Sequence, residues 1–117
     1  MRFDDLKLTR QFLNAIEDAG YENATPIQQK AIPPLRAGQD VIGIAQTGTG
    51  KTAAFLLPLL QTLKYAQGDA PRGLVLAPTK ELVVQTHQEA LKFARYTDLR
   101  IVAFYGGVGP KRQIEEI

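Results

Sequence analysis

The residues best equipped for chemistry are Lys51 and Thr52, which close the run DVIGIAQTGTGKT from Asp40 to Thr52. Gly48 and Gly50 carry no Cβ, so the backbone of this turn can curl and approach an anion closely. Curled N–H groups, together with the first turn of a following helix, aim partial positive charge at phosphate oxygens. Lys51 can then bring its ammonium to the β- and γ-phosphates, and the Thr52 hydroxyl can ligate Mg²⁺. Ala45, Gln46, Thr47 and Thr49 complete the turn, with Ala45 where the pattern G-x-x-x-x-G-K-[ST] has its first glycine. The bland alternative is a Gly/Thr-rich strand-to-helix turn with a solvated lysine; spacing and context favour the phosphate loop.

Such a loop needs a strand before it and a helix after it. Val41 to Ala45 supply the strand. Beyond Lys51, Phe55, Leu56, Leu57, Leu59, Leu60 and Leu63 spread around most of a helix, which predicts a buried one. Pro58 lies inside it and removes a hydrogen bond to the Ala54 carbonyl, predicting a kink. Upstream, Thr9 is the expected N-cap of a helix running to about Ala19, with Phe12, Leu13, Ile16 and Ala19 on one face and Gly20 as the stop. Thr25-Pro26 opens a second helix, and Gln28 completes a Thr-x-x-Gln capping box. Pro33 and Pro34 are expected to end or kink that helix before Gly38.

Downstream, the stretch from Ala66 to Arg72 reads as a surface loop. Leu74 to Ala77 read as a second strand stopped by Pro78. A helix from about Thr79 to Tyr96 is expected to bury Leu82, Val83, Thr86, Ala90, Phe93 and Ala94, with Gln85, Gln88, Lys92 and Arg95 opposite. His87 falls at the edge of that stripe. Without a second histidine or a carboxylate pair at ligand spacing, it is a boundary residue rather than a metal ligand. Ile101 to Tyr105 form a third strand, followed by Gly106-Gly107 and the start of a helix near Pro110. Strands alternating with helices predict an α/β fold, a parallel sheet with helices on both faces.

Composition bounds the rest. The 117 residues make one domain or part of one, and 44% hydrophobic residues suffice for a core. A formal charge of +2 does not by itself imply nucleic acid. The absence of cysteine excludes disulfides and thiolate metal sites and is compatible with a reducing compartment. The N-terminus lacks a signal-peptide core, and the apolar stretch from Ala53 to Leu60 is too short to span a bilayer. A soluble cytoplasmic protein without a membrane partner is expected; oligomeric state stays open.

A phosphate loop alone does not choose among nucleotide-binding proteins, but the flanks do. GYENATPIQ at 20–28, AQTGTGKT at 45–52, PTKEL at 78–82 and Gly106-Gly107 occur in the order of the DEAD-box RNA helicases. From Phe3 to its last residue the chain resembles the N-terminal part of that family. The first block is similar to the family's Q motif, with Phe3 at the isolated upstream aromatic. The second is the helicase form of the P-loop, and the third is similar to motif Ia.

The resemblance implies a RecA-like domain, incomplete here, with a Q-motif region at 1–38 and the P-loop and first RNA-contact motifs at 39–117. It implies ATP and Mg²⁺ as cofactors, with Lys51 serving catalysis. Gln28 would read adenine, Phe3 would pack near the base, and Tyr21 would help. Pro78, Thr79, Lys80, Glu81, Gly106 and Gly107 would bind the RNA sugar-phosphate backbone without reading sequence. Two positions depart from the pattern: Lys80 replaces a usual arginine, and Ala24 a usual proline. The Asp-Glu-Ala-Asp block and the second RecA-like domain are absent from this sequence. The expectation is therefore an ATP-dependent RNA helicase as the complete protein, with the 117 residues alone inactive. The alternative is a non-hydrolysing nucleotide- or partner-binding fragment. A small-molecule kinase or GTPase would share only the P-loop.

Overall fold

A computed structural model of the chain describes residues 2–45, 50–63 and 71–105. Within them the elements are a 3₁₀ turn, Phe3–Leu6, followed by α1, Arg10–Asp18; α2, Pro26–Arg36; α3, Lys51–Leu63; and α4, Lys80–Phe93.

α1 begins after Thr9, as the sequence predicts, and ends where Gly20 turns to a φ of 85°. That left-handed turn is cheap only for a residue without a Cβ. The helix buries Phe12, Ala15 and Ile16, so Ala15 takes the core place expected of Ala19. α2 starts at Pro26, whose missing N–H costs nothing at the first helical position. It does not stop at Pro33. Both prolines lie in the last turns, where their carbonyls still accept: Ala37 N–H donates to Pro33 at 3.1 Å and Gln39 N–H to Pro34 at 3.0 Å. Proline removes a donor, not an acceptor, so the helix reaches Arg36.

α3 is the central element, with Ala53, Ala54, Leu56, Leu57, Pro58 and Leu60 buried. It continues through Pro58 to Leu63, and Thr62 Oγ1 donates to the Pro58 carbonyl at 2.9 Å. Phe55, expected inside, is exposed. α2 packs chiefly on α3, while α4 touches both α1 and α3. The core forms where they meet, around Phe12, Ile16, Ile32, Leu57 and Phe93. Gln61 ties α3 to the chain start: its Oε1 accepts the Thr9 N–H at 2.8 Å and its Nε2 donates to the Lys7 carbonyl at 3.4 Å. α4 buries Ala90, Phe93 and Ala94 as expected, but Leu82 is exposed and Val83 and Thr86 are half-buried, so only its C-terminal half is a core helix.

The three segments read as strands, 41–45, 74–77 and 101–105, carry no strand pairing among the described residues. The β contact found there is an isolated antiparallel bridge between Arg2 and Asn23. Helices complete their bonds internally, whereas a strand needs a neighbour about 4.8 Å away. Apolar side chains in two of these segments consequently stand in the open: Ile42 is 94% exposed, Ile44 91%, Leu74 81% and Leu76 85%. The helix expected near Pro110 and most of the loop expected at 66–72 lie outside the described residues.

Candidate functional site

The N-terminus of α2 and the start of α3 meet through one side chain. Thr25 takes the N-cap conformation, with φ −72° and ψ 164°, and places Gln28 three residues on. The Gln28 Oε1 accepts the Thr25 N–H at 2.8 Å, the predicted capping-box bond. Its Nε2 reaches across to donate to the Gly50 carbonyl at 3.2 Å. Gln28 is only 4% exposed, so both ends of the amide need partners, and both have them.

Gly50 is required there on two counts. Its φ is 86°, and an added Cβ would stand 2.3 Å from Gln28 Nε2. The same carbonyl accepts the Ala54 N–H at 3.1 Å, so the Gln28 bond is anchored on the first turn of α3. Thr25 and Gln28 face each other in capping-box geometry, but no bond of hydrogen-bond length reaches the Thr25 hydroxyl. Thr25 Oγ1 lies beside Gly50, 3.2 Å from where that Cβ would be, and is buried without a hydrogen-bond partner. A buried hydroxyl without a partner costs about 1–3 kcal/mol of desolvation, and the Thr9 hydroxyl at the start of α1 is in the same state.

Lys51 opens α3 with its side chain exposed, Thr52 follows half-buried, and Ala45 is half-buried at the other end of the loop. Gln46, Thr47, Gly48 and Thr49 lie outside the described residues. Thr52 offers one hydroxyl oxygen, and no group of three His, Cys, Asp or Glu capable of holding a metal occurs among the described residues. A Mg²⁺ held there would fit only as an ion carried mainly by phosphate oxygens and water, the usual habit of that cation.

The aromatic pair divides. Phe3 is buried in the core cluster, on a 3₁₀ turn that packs against α2, while Tyr21 is 40% exposed. Their ring centroids are 6.5 Å apart, and Tyr21 lies 6.2 Å from Phe93, within the range of favourable tilted contacts.

Across the molecule, Thr79 caps α4 with its hydroxyl, which accepts the Leu82 N–H at 3.1 Å. Pro78, Thr79, Lys80 and Glu81 are all exposed at this end. The Lys80 ammonium stands 5.2 Å from the centroid of the Tyr105 ring. Gly106 and Gly107 lie outside the described residues. His87 has the structural place expected of it: Nε2 donates to the Ile101 carbonyl at 3.1 Å, pinning the third apolar segment to α4.

The resolved pKa shifts lie elsewhere. A hydrogen bond to the Asp18 carboxylate raises the Tyr96 phenol above its ordinary value, and a hydrogen bond to Glu89 raises Lys92. A cleft of about 570 Å³ between α2, α3 and the second segment has walls of Leu35, Phe55, Leu59, Leu74 and Leu76 and no titratable side chain. It is not the phosphate site. Sequence reasoning missed the unbonded Thr25 hydroxyl, the Gln61 tie and the Lys80–Tyr105 contact. Only the last left a signal, an aromatic directly before paired glycines.

The DEAD/DEAH box helicase family model matches residues 25–117, beginning at Thr25. The pre-mRNA-processing ATP-dependent RNA helicase PRP5 of Gibberella zeae is 46% identical over 114 residues, covering 94% of this chain and 10% of that protein. The ATP-dependent RNA helicase CshA of Limosilactobacillus reuteri is 42% identical over the whole chain and 23% of its own length. The chain thus spans between a tenth and a quarter of these relatives. Among solved structures, the RNA helicase Prp28 of Chaetomium thermophilum bound to ADP superposes with a TM-score of 0.84 at 43% identity, over 97% of this chain and 28% of that one. A DEAD box protein from Methanococcus jannaschii gives 0.91 at 34% identity, over 99% and 32%. These likenesses carry the α/β, RecA-like fold class that the unpaired segments alone do not.

Proposed function

This chain belongs to the DEAD/DEAH box helicase family, and on that premise we propose that it forms the ATP-binding and RNA-backbone-binding portion of an ATP-dependent RNA helicase. The observation that carries the nucleotide half is the buried Gln28 amide bonded to the Gly50 carbonyl. A glutamine amide offers one donor and one acceptor, matching the N7 acceptor and N6 amino donor of adenine. Guanine presents a carbonyl at that second place and leaves the pair unmatched. In the conformation described, one Gln28 N–H is given to Gly50 and one Oε1 lone pair to Thr25. The amide keeps a second N–H and a second lone pair, so it can meet adenine without giving up either partner.

The remaining parts follow the same logic. Lys51, exposed at the start of α3, neutralises phosphate charge beside the helix's first N–H groups. The Thr25 hydroxyl is placed to give a hydrogen bond to a ligand oxygen. Thr52 would be the protein ligand of a Mg²⁺, which would offset phosphate charge. Tyr21, rather than Phe3, presents an exposed ring to a ligand. At the other end, Thr79, Lys80 and Glu81 open α4 beside the segment that leads to Gly106-Gly107, a natural place for a sugar-phosphate chain.

Competition between ADP and GDP tests the base reading. The wild type should prefer ADP by at least several-fold, because an unmatched buried polar pair costs about 1–3 kcal/mol. In Gln28→Ala the gap should shrink. Thermal unfolding of the same variant separates the capping role: lost stability with an unchanged nucleotide preference would make Gln28 a cap only.

A further inference from the structure

The RNA reading leaves one contact unexplained. Lys80 is the first residue of α4 and exposed, and its ammonium lies 5.2 Å from the centroid of the half-buried Tyr105 ring. That separation is within reach of the ring quadrupole. The two residues come from distant parts of the chain, and His87 fastens the Tyr105 segment to the same helix through the Ile101 carbonyl. The segment that carries the ring is therefore tied to α4 by a bond that does not involve Lys80.

A lysine ammonium on four rotatable bonds is a poorly located charge, and fixing it on a phosphate costs side-chain entropy. A ring beneath it narrows that freedom before any ligand arrives. The ring engages one side of the ammonium, and its N–H donors on the other side stay available to phosphate oxygens.

Resting on the RNA-backbone reading above, we propose that Tyr105 is a positioning residue for RNA: its ring face holds the Lys80 ammonium at the start of α4, where it meets a backbone phosphate. Tyr105 then contributes affinity only through Lys80. A ring that stacked on a base would instead contribute on its own.

The test is binding of a uridine homopolymer to the full-length protein across a salt series, for wild type, Lys80→Ala, Tyr105→Leu, Tyr105→Phe and the Lys80→Ala/Tyr105→Leu double variant. Tyr105→Leu should weaken binding about two- to fivefold, the size of an exposed cation–π contact. Tyr105→Phe keeps the ring face and should bind as wild type does. Lys80→Ala should flatten the salt slope by about one ion. In the Lys80→Ala background, adding Tyr105→Leu should change nothing further. An equal loss from Tyr105→Leu in both backgrounds would overturn the proposal, as would Tyr105→Phe behaving like Tyr105→Leu. If the wild type binds RNA but Lys80→Ala leaves affinity and slope unchanged, this inference falls alone. If the wild type does not bind the homopolymer, the RNA reading falls with it.

Discussion

The helical layer and the three apolar segments are both rich in large aliphatic residues, yet they end in opposite environments. Leu57 of α3 is wholly buried, whereas Ile42, one residue type over and nine positions before that helix begins, is almost fully exposed. The difference is one of bond closure. A helix satisfies its backbone within a dozen residues, so an amphipathic helix needs only another helix to cover it. A strand has no such autonomy: its backbone bonds and its side-chain cover both come from segments distant in sequence. The nucleotide candidates Gln28, Gly50 and Lys51 sit on the self-sufficient part. The RNA candidates Pro78, Thr79, Lys80 and Glu81 sit at the exposed start of α4.

The largest expected effect sets the two regions against each other directly. Leu57→Ala removes a fully buried side chain and should destabilise the fold by about 2–5 kcal/mol, read by urea unfolding. Ile42→Ala should stay within about 0.5 kcal/mol, as a surface substitution does. An Ile42→Ala cost comparable to that of Leu57→Ala would break the comparison, showing that polypeptide outside the described residues covers the segment.

The fold was legible where its causes are local. Thr9 and Thr25 mark helix starts, Gly20 marks a stop, and the predicted polar face of α4, Gln85, Gln88, Lys92 and Arg95, is indeed the exposed one. Short motifs in order sufficed for the family. What stayed hidden depends on where elements meet. The sequence places Gln28 in a capping box, but nothing in it says that the other end of the amide lands on Gly50, twenty-two residues away. Pro33 and Pro34 were misleading because the rule against helical proline concerns the donor, and near a C-terminus the lost donors are few. Leu82 was misplaced because periodicity reports which face is apolar, not whether a partner covers it.

A second prediction falls at the junction between the regions, where the first segment turns into α3. Lys51 is exposed and takes no part in the core, so Lys51→Ala should leave unfolding nearly unchanged. It should remove a charge-assisted phosphate contact worth roughly 1.5–3 kcal/mol, or about ten- to hundredfold in ATP affinity. Titration of labelled ATP into both proteins reads it. Equal affinities would remove the phosphate-loop assignment.

The smallest effect is the sharpest, because it compares two threonines at the same helical position in the two regions. Thr79 caps α4 with its hydroxyl; Thr25 starts α2 with a buried hydroxyl that bonds to nothing. Valine preserves the shape of threonine and deletes only the hydroxyl, so the pair of substitutions isolates what each oxygen does. Thr79→Val should cost about 1 kcal/mol, the usual loss of an N-cap bond. Thr25→Val should cost nothing, or stabilise by up to about 1 kcal/mol, since it removes an unsatisfied buried group. The atom lies beside Gly50 at the start of α3, where a nucleotide oxygen would give it a partner. Thr25→Val should therefore weaken ADP and ATP binding by about tenfold or less while the unfolding midpoint stays where it was or rises. A drop of about 1 kcal/mol in stability with unchanged nucleotide affinity would reassign Thr25 as an ordinary cap. The orphaned hydroxyl would then be no part of the nucleotide site.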